Sequence, residues 1–278
     1  MINLNEQRFV PKWEHNRKDR LELESKFSNY TGNLDIVEFH IPYTRYEFVS
    51  KMLNEASSKQ GKKILVSGGD SVNFDVFSFF WKTSHDPSCA MAELEKLINV
   101  LRECERVYDQ IVFISTNHER RLYKVLEKAI AGKDQVEAIK PFIKTFNDFF
   151  KESKLKKVVF ADSNFIQLGD SIISHMENNS AISGSTRRWL IQYFAPRVYT
   201  PFNVIYGLHT HCQGQDTIER VKVIETGCIA ETMDYWRSGK MNGRGKMSSI
   251  GYASGYMKNG LSDLNRCNPV FCGWEGYI

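Results

Sequence analysis

Five of the seven histidines, His40, His118, His175, His209 and His211, fall at or just beyond the end of a predicted strand; only His15 and His85 do not. Beside them stand Glu38, Asp70, Asn73 and Asn117. Imidazole, carboxylate and amide donors without thiolate suit borderline or hard divalent ions such as Mn, Fe or Zn. A lone strand-end histidine is an ordinary hydrogen-bonded residue, and it is the grouping that points to chemistry. Glu38-Phe39-His40 and His209-Thr210-His211 each put two ligand-type side chains two residues apart, on one face of an extended strand. Gly69-Asp70 sets a carboxylate at a tight turn where nothing bulky blocks approach. Asn117-His118 sets an amide beside an imidazole, on opposite faces.

Strand-terminal loops on a sheet rim let side chains distant in sequence converge on rigid supports. Residues 34–39 read as a strand, followed by helical spacing through Phe48, Val49, Met52, Leu53 and Ala56. Residues 64–67 form a short apolar run that turns sharply at Gly68-Gly69-Asp70. Met91, Leu94, Leu97, Ile98, Leu101, Cys104 and Tyr108 mark one face of a long helix, with Glu93, Glu95, Lys96, Arg102 and Glu103 on the other. A strand at 111–115 precedes a helical insertion at about 120–153, broken at Gly132 and Pro141. Residues 158–161, 165–169 and 171–175 suggest hairpin strands, and a helix at about 186–194 stops at Pro196. Strands at 203–206 and 220–226 close the regular part. Residues 1–30 read as an N-terminal arm and 31–278 as a single domain with a loop-rich segment at about 228–278. The alternation implies an α/β fold with mixed sheets and helices outside.

The 278 residues carry a net charge of +4, with 42% hydrophobic and 25% charged residues, which excludes collagen-like, disordered and mucin-like classes. No run approaches a membrane span, and the first twenty residues have no apolar signal region. Six scattered cysteines fit a reducing cytoplasm, the host's if the chain is viral, rather than a disulfide framework. A pI of 8.6 leaves any polyanion site local.

The sequence resembles the calcineurin-like metallophosphoesterases, whose blocks are Asp-x-His, Gly-Asp-x-x-Asp/Asn, Gly-Asn-His-Asp/Glu, a lone His, and Gly-His-x-His. Here they stand, in order, as Glu38-Phe39-His40, Gly69-Asp70-Ser71-Val72-Asn73, Thr116-Asn117-His118-Glu119, His175, and Leu208-His209-Thr210-His211. The tail, with Gly227-Cys228, Asp234-Tyr235, Gly251-Tyr252 and Trp274, is similar to bacteriophage-encoded members. The resemblance implies two mixed sheets packed as a sandwich, flanked by helices. It also implies two divalent ions, Mn first with Fe, Zn or Ni as alternatives. Glu38, His40 and His211 would hold one ion and Asn117, His175 and His209 the other, with Asp70 bridging. Such a pair, about 3.5–4 Å apart, activates a bridging water and stabilises attacking and leaving oxygens. His118 would be the general acid, with Asn73 orienting it or a loop. Glu38 replaces the usual aspartate, and Thr116, Met176 and Leu208 replace glycines.

The implied function is hydrolysis of a phosphoester, first a nucleotide or nucleic-acid phosphodiester. Small phosphomonoesters or phosphoproteins are the alternative substrates, and a non-catalytic phosphate or nucleic-acid binding module is the alternative class. Arg120 and Arg121 are candidate substrate-phosphate ligands, because guanidinium matches phosphate oxygens in a fork. Arg187 and Arg188 have a weaker claim. Lys240, Arg244, Lys246 and Lys258 with Tyr252 and Tyr256 read as a solvated loop before a nucleic-acid track. The stripe Phe142, Phe146, Phe149 and Phe150 reads as core.

Overall fold

β1 (Gly32–Val37) and β2 (Lys63–Ser67) are buried along nearly their whole length, as expected of parallel strands covered on both faces. They pair in parallel, and β3 (Gln110–Ile114) and β4 (Val158–Ala161) continue the parallel run. On the far side of β1 lies antiparallel β10 (Ser249–Lys258), which also pairs with β11 (Leu261–Ser262) and β12 (Asn268–Trp274). A second, five-stranded sheet is formed by β5 (Phe165–Leu168), β6 (Ser171–His175), β7 (Val204–Leu208), β8 (Gln213–Ile218) and β9 (Val221–Thr226), in the order β5-β6-β7-β9-β8. Its inner strands β6, β7 and β9 are parallel and its edges antiparallel. The computed structural model describes residues 17–77, 90–116, 118–121, 125, 146–175, 191, 193–194, 201–231 and 249–274.

The two mixed sheets pack face to face. Leu34, Ile36, Ile64, Val66, Val112 and Ile114 of the first meet Ile166, Leu168, Ile173, Val204, Tyr206 and Ile224 of the second. The other face of the first sheet is covered by α2 (Tyr46–Ser58), α3 (Ala90–Val107) and α4 (Phe146–Glu152), through Met52, Ala56, Leu97, Leu101, Phe146 and Phe150. Ile191 and Phe194 cover the outer face of the second. Each such buried side chain contributes about 1.5–3 kcal/mol, so both sheets are pinned on both faces and their rims are rigid supports.

Several expectations need correction. Residues 249–274 are strands rather than loop; Gly251, Gly255, Ser249 and Ser254 interrupt the apolar alternation that would have shown a strand. The N-terminal arm contains the helix α1 (Arg17–Phe27), whose Phe27 enters the core between the sheets. Its buried side includes Arg20, which lies over the Phe165 ring at 4.2 Å and pairs with Glu24 at 2.9 Å, so no apolar stripe marks it. The apolar face of α3 is buried as expected through Leu94, Leu97, Ile98, Leu101, Cys104 and, just past its end, Tyr108, but Met91 is exposed and Glu93, expected on the outer face, is buried. Residues 158–175 are not one hairpin: β4 belongs to the first sheet, and only β5 and β6 pair in the second. Most of the 120–153 insertion and the 186–194 helix lie outside the described residues, as do Met176, Arg187, Arg188, Lys240, Arg244 and Lys246. Among the described residues, no helix is long and apolar enough to cross a membrane.

Candidate metal centre

Loops at the C-terminal ends of β1, β2, β3 and β7, together with His175, the last residue of β6, bring donor residues to one rim. The shared-face argument for the two His-containing tripeptides does not hold. β1 ends at Val37 and β7 at Leu208, and His40, His209 and His211 take left-handed backbone at φ 52°, 83° and 53°. Asp70 does the same at φ 45°. Such conformations cost about 1–3 kcal/mol each in non-glycine residues and persist only where surrounding structure imposes them. Here the first two loops are laced together: His40 N–H donates to the Asp70 carbonyl at 2.8 Å, Ile41 N–H to Ser71 at 3.0 Å, and Asn73 N–H to Ile41 at 2.7 Å. Tight turns, not strand alternation, therefore bring the pairs together.

Asp70 stands at the centre. Its Oδ2 lies 3.0 Å from His175 Nε2, 3.6 Å from His118 Nε2, 3.8 Å from His40 Nε2 and 3.9 Å from His209 Nδ1. Its Oδ1 accepts from the Thr116 hydroxyl at 2.6 Å, which turns Oδ2 toward the imidazoles. Glu38 Oε1 accepts from His209 N–H at 2.8 Å and lies 3.1 Å from His175 Nε2, while Oε2 is 4.0 Å from His211 Nε2. Among the described residues, three groups have donor atoms close enough to hold a metal ion: Glu38, His40 and His211; Asp70, His175 and His209; and His40, Asp70 and His118.

Buried polar atoms in folded proteins nearly always have a hydrogen-bond partner. At this rim, Glu38 Oε2, both ring nitrogens of His40 and of His175, and His209 Nδ1 are buried without one. One nitrogen of each ring, with Glu38 Oε2 and Asp70 Oδ2, faces a shared space. That is the arrangement a divalent cation satisfies, and an imidazole and carboxylate set without sulfur fits Mn, Fe or Zn. Asn117 lies outside the described residues.

Burial pulls the His40 imidazole down to about 4 and holds those of His118 and His211 well below their ordinary value, so all three are neutral and able to donate a lone pair. At His175 burial acts in the same direction, but Asp70 and Glu38 outweigh it and raise the ring's proton affinity. Burial also works against the charge of Asp70, yet His118 and His175 keep its carboxyl well below the usual carboxylate range. Burial raises Glu38.

Two carboxylates that sequence reasoning did not single out shape the Asp70 loop. Glu119 accepts from Ser71 N–H at 2.7 Å, Thr116 N–H at 3.1 Å and Asp70 N–H at 3.3 Å. Glu93, reaching from α3, accepts from Asn73 N–H at 3.0 Å and Phe74 N–H at 2.6 Å. A buried carboxylate gathering backbone N–H groups is a positioning device. The glycine replacements are accommodated locally: a Cβ on Gly69 would strike the Thr116 side chain, and one on Gly68 would strike Leu208. Thr116 and Leu208 thus fill space that Gly69 and Gly68 vacate.

Asn73 does not hydrogen-bond to His118. Its amide is buried beside His40 without a hydrogen bond, and its carbonyl accepts from Arg121. Arg121 is further held by Asp75 at 3.1 Å and reaches His118 Nε2 at 2.9 Å. Guanidinium only donates, so Nε2 accepts and the resting ring carries its proton on Nδ1. Arg120 is buried, pairs with Asp162 at 3.0 Å, and leaves Nε and Nη1 without partners. The remaining aromatic and thiol groups lie elsewhere. Phe146 and Phe150 are core, and Cys104, Cys212, Cys228 and Cys267 are buried.

No family model matches this sequence, and no curated protein does. Solved structures do match. One is a Vps29 from Entamoeba histolytica at 8% identity and TM-score 0.43, the match covering 87% of this chain and 99% of that one. Another is an archaeal phosphodiesterase at 12% identity and TM-score 0.37, covering 80% and 92%. A third is a phosphoesterase from E. coli at 10% identity and TM-score 0.36, covering 80% and 87%. At identities and scores this low, the chemistry has to be read from this chain's own residues. The two mixed sheets packed as a sandwich are the architecture expected of a calcineurin-like metallophosphoesterase.

Proposed function

We propose that the protein is a dinuclear metal-dependent phosphoesterase, acting first on nucleotide or nucleic-acid phosphodiesters. The observation that carries this reading is the set of buried imidazole and carboxylate atoms that surround Asp70 Oδ2 without hydrogen-bonding one another. Glu38, His40 and His211 would hold one ion and His175, His209 and Asn117 the other, with Asp70 shared. Bound there, divalent ions supply Lewis-acid polarisation of phosphoryl oxygens and activation of water for in-line attack. Thr116 fixes the Asp70 carboxylate, and Glu119 and Glu93 fix the loop that carries it. His118 turns Nε2 to the rim, 3.6 Å from Asp70 Oδ2 and 2.9 Å from Arg121, and as the imidazolium it would give a proton to the leaving oxygen and return to the neutral ring. Arg120, whose Nε and Nη1 have no partner, would be the candidate ligand for a phosphate oxygen.

The test is hydrolysis of aryl phosphodiesters and monoesters by chelator-stripped protein over a panel of added metals. Activity restored by Mn²⁺, higher on the diester, and lowered about 10²-fold or more in His118→Asn is expected for loss of a general acid. Metal uptake without turnover on any ester would favour a binding module.

A further inference from the structure

The carboxylate of Glu38 reaches both donor groups of the rim. Its Oε2 belongs with His40 and His211, lying 4.0 Å from His211 Nε2 with no hydrogen bond of its own. Its Oε1 faces the other group, 3.1 Å from His175 Nε2, and accepts the backbone N–H of His209 at 2.8 Å. His175 and His209 form one of the two donor groups that contain Asp70. The backbone bond fixes the direction of Oε1, and Ile229 N–H to the Glu38 carbonyl at 2.9 Å fixes the main chain behind it. An aspartate here would be shorter by one methylene, about 1.5 Å, and would lose this span.

We infer that Glu38 is a second bridging ligand, giving one carboxylate oxygen to each ion alongside Asp70. The inference depends on the dinuclear reading above and adds to it. Two carboxylates spanning the pair link the ions more tightly than one, so the glutamate is a gain of connection and not a weakened first site. Whatever removes its charge then disturbs both ions.

The experiment is calorimetric titration of stripped protein with Mn²⁺ in the wild type, in Glu38→Gln and in His211→Gln. Glu38→Gln keeps the side chain's length and an acceptor for His209 N–H, and His211 belongs to one donor group alone. Two binding steps are expected in the wild type. Glu38→Gln should weaken both by more than the about 10- to 100-fold that loss of an outer partner costs, while His211→Gln weakens one. A Glu38→Gln titration that loses one step and leaves the other within about 2-fold, as His211→Gln does, overturns the bridge. If Glu38→Gln does not fold, a Mn²⁺-loaded wild-type crystal decides. Each Glu38 oxygen bonded to a different ion upholds the inference, and both oxygens on one ion overturn it. Wild-type protein that takes up fewer than two ions overturns the dinuclear reading itself, and the bridge with it.

Discussion

Asp35 and Glu38 are buried carboxylates three residues apart, one within β1 and one just past its end, and their surroundings differ in kind. Asp35 pairs with Lys59 Nζ at 2.7 Å and accepts from the Tyr108 hydroxyl at 3.0 Å, while Lys59 also donates to Ser254 at 2.8 Å. That network joins β1, α2, α3 and β10 and needs nothing from outside. Around Glu38 and Asp70, buried nitrogens and oxygens approach one another without hydrogen-bonding. The difference separates a polar cluster that holds the fold together from one built to receive a ligand. Satisfied groups contribute stability, whereas convergent unsatisfied groups lower it until something binds.

Substitutions should pull these two regions apart. The largest effect is expected for Asp70→Asn. Loss of the shared ligand should lower kcat/KM by about 10³-fold or more, the equivalent of several kcal/mol of transition-state stabilisation. Mn²⁺ at a hundred times its Kd should add about 2.7 kcal/mol to the unfolding free energy of the wild type and little to that of this variant. Asp35→Asn should behave in reverse. Breaking a buried ion pair from one side costs about 3 kcal/mol or more in unfolding free energy, with kcat per folded molecule unchanged.

Glu93→Gln falls between the two regions, because its carboxylate is structural but its backbone partners belong to the Asp70 loop. It should lose about 2 kcal/mol of stability, the scale of hydrogen bonds to a charged group. A few-fold drop in kcat should accompany it. An unchanged kcat would mean that the loop is held by Glu119 without help from α3.

What the sequence could and could not disclose follows the same division. Five of the candidate donors were legible because they sit in short local patterns: Glu38-Phe39-His40, Gly69-Asp70, His209-Thr210-His211. Glu93 and Glu119 were not, since a buried carboxylate that collects backbone N–H groups looks in sequence like a solvent-facing one. Arg20 misled for a similar reason: its guanidinium is covered by the Phe165 ring, so the inner side of α1 carries a charge. Mixed sheets with helices outside were legible from the alternation of strands and helices, whereas their packing as a two-sheet sandwich was implied only by the resemblance. β10 to β12 were not legible, because glycine and serine at positions 249, 251, 254 and 255 erased the period-two signal while pairing with β1 and β12 supplied the order. The turns at His40, His209 and His211 were also hidden, as nothing in those residue types announces left-handed backbone.

The central claim is that the rim cluster is a two-ion site, and direct metal uptake tests it. Wild-type protein stripped with chelator, dialysed against Mn²⁺ and submitted to elemental analysis should retain two ions per chain, and Asp70→Asn should retain fewer. Uptake that is absent, or identical in the two proteins, would contradict the account.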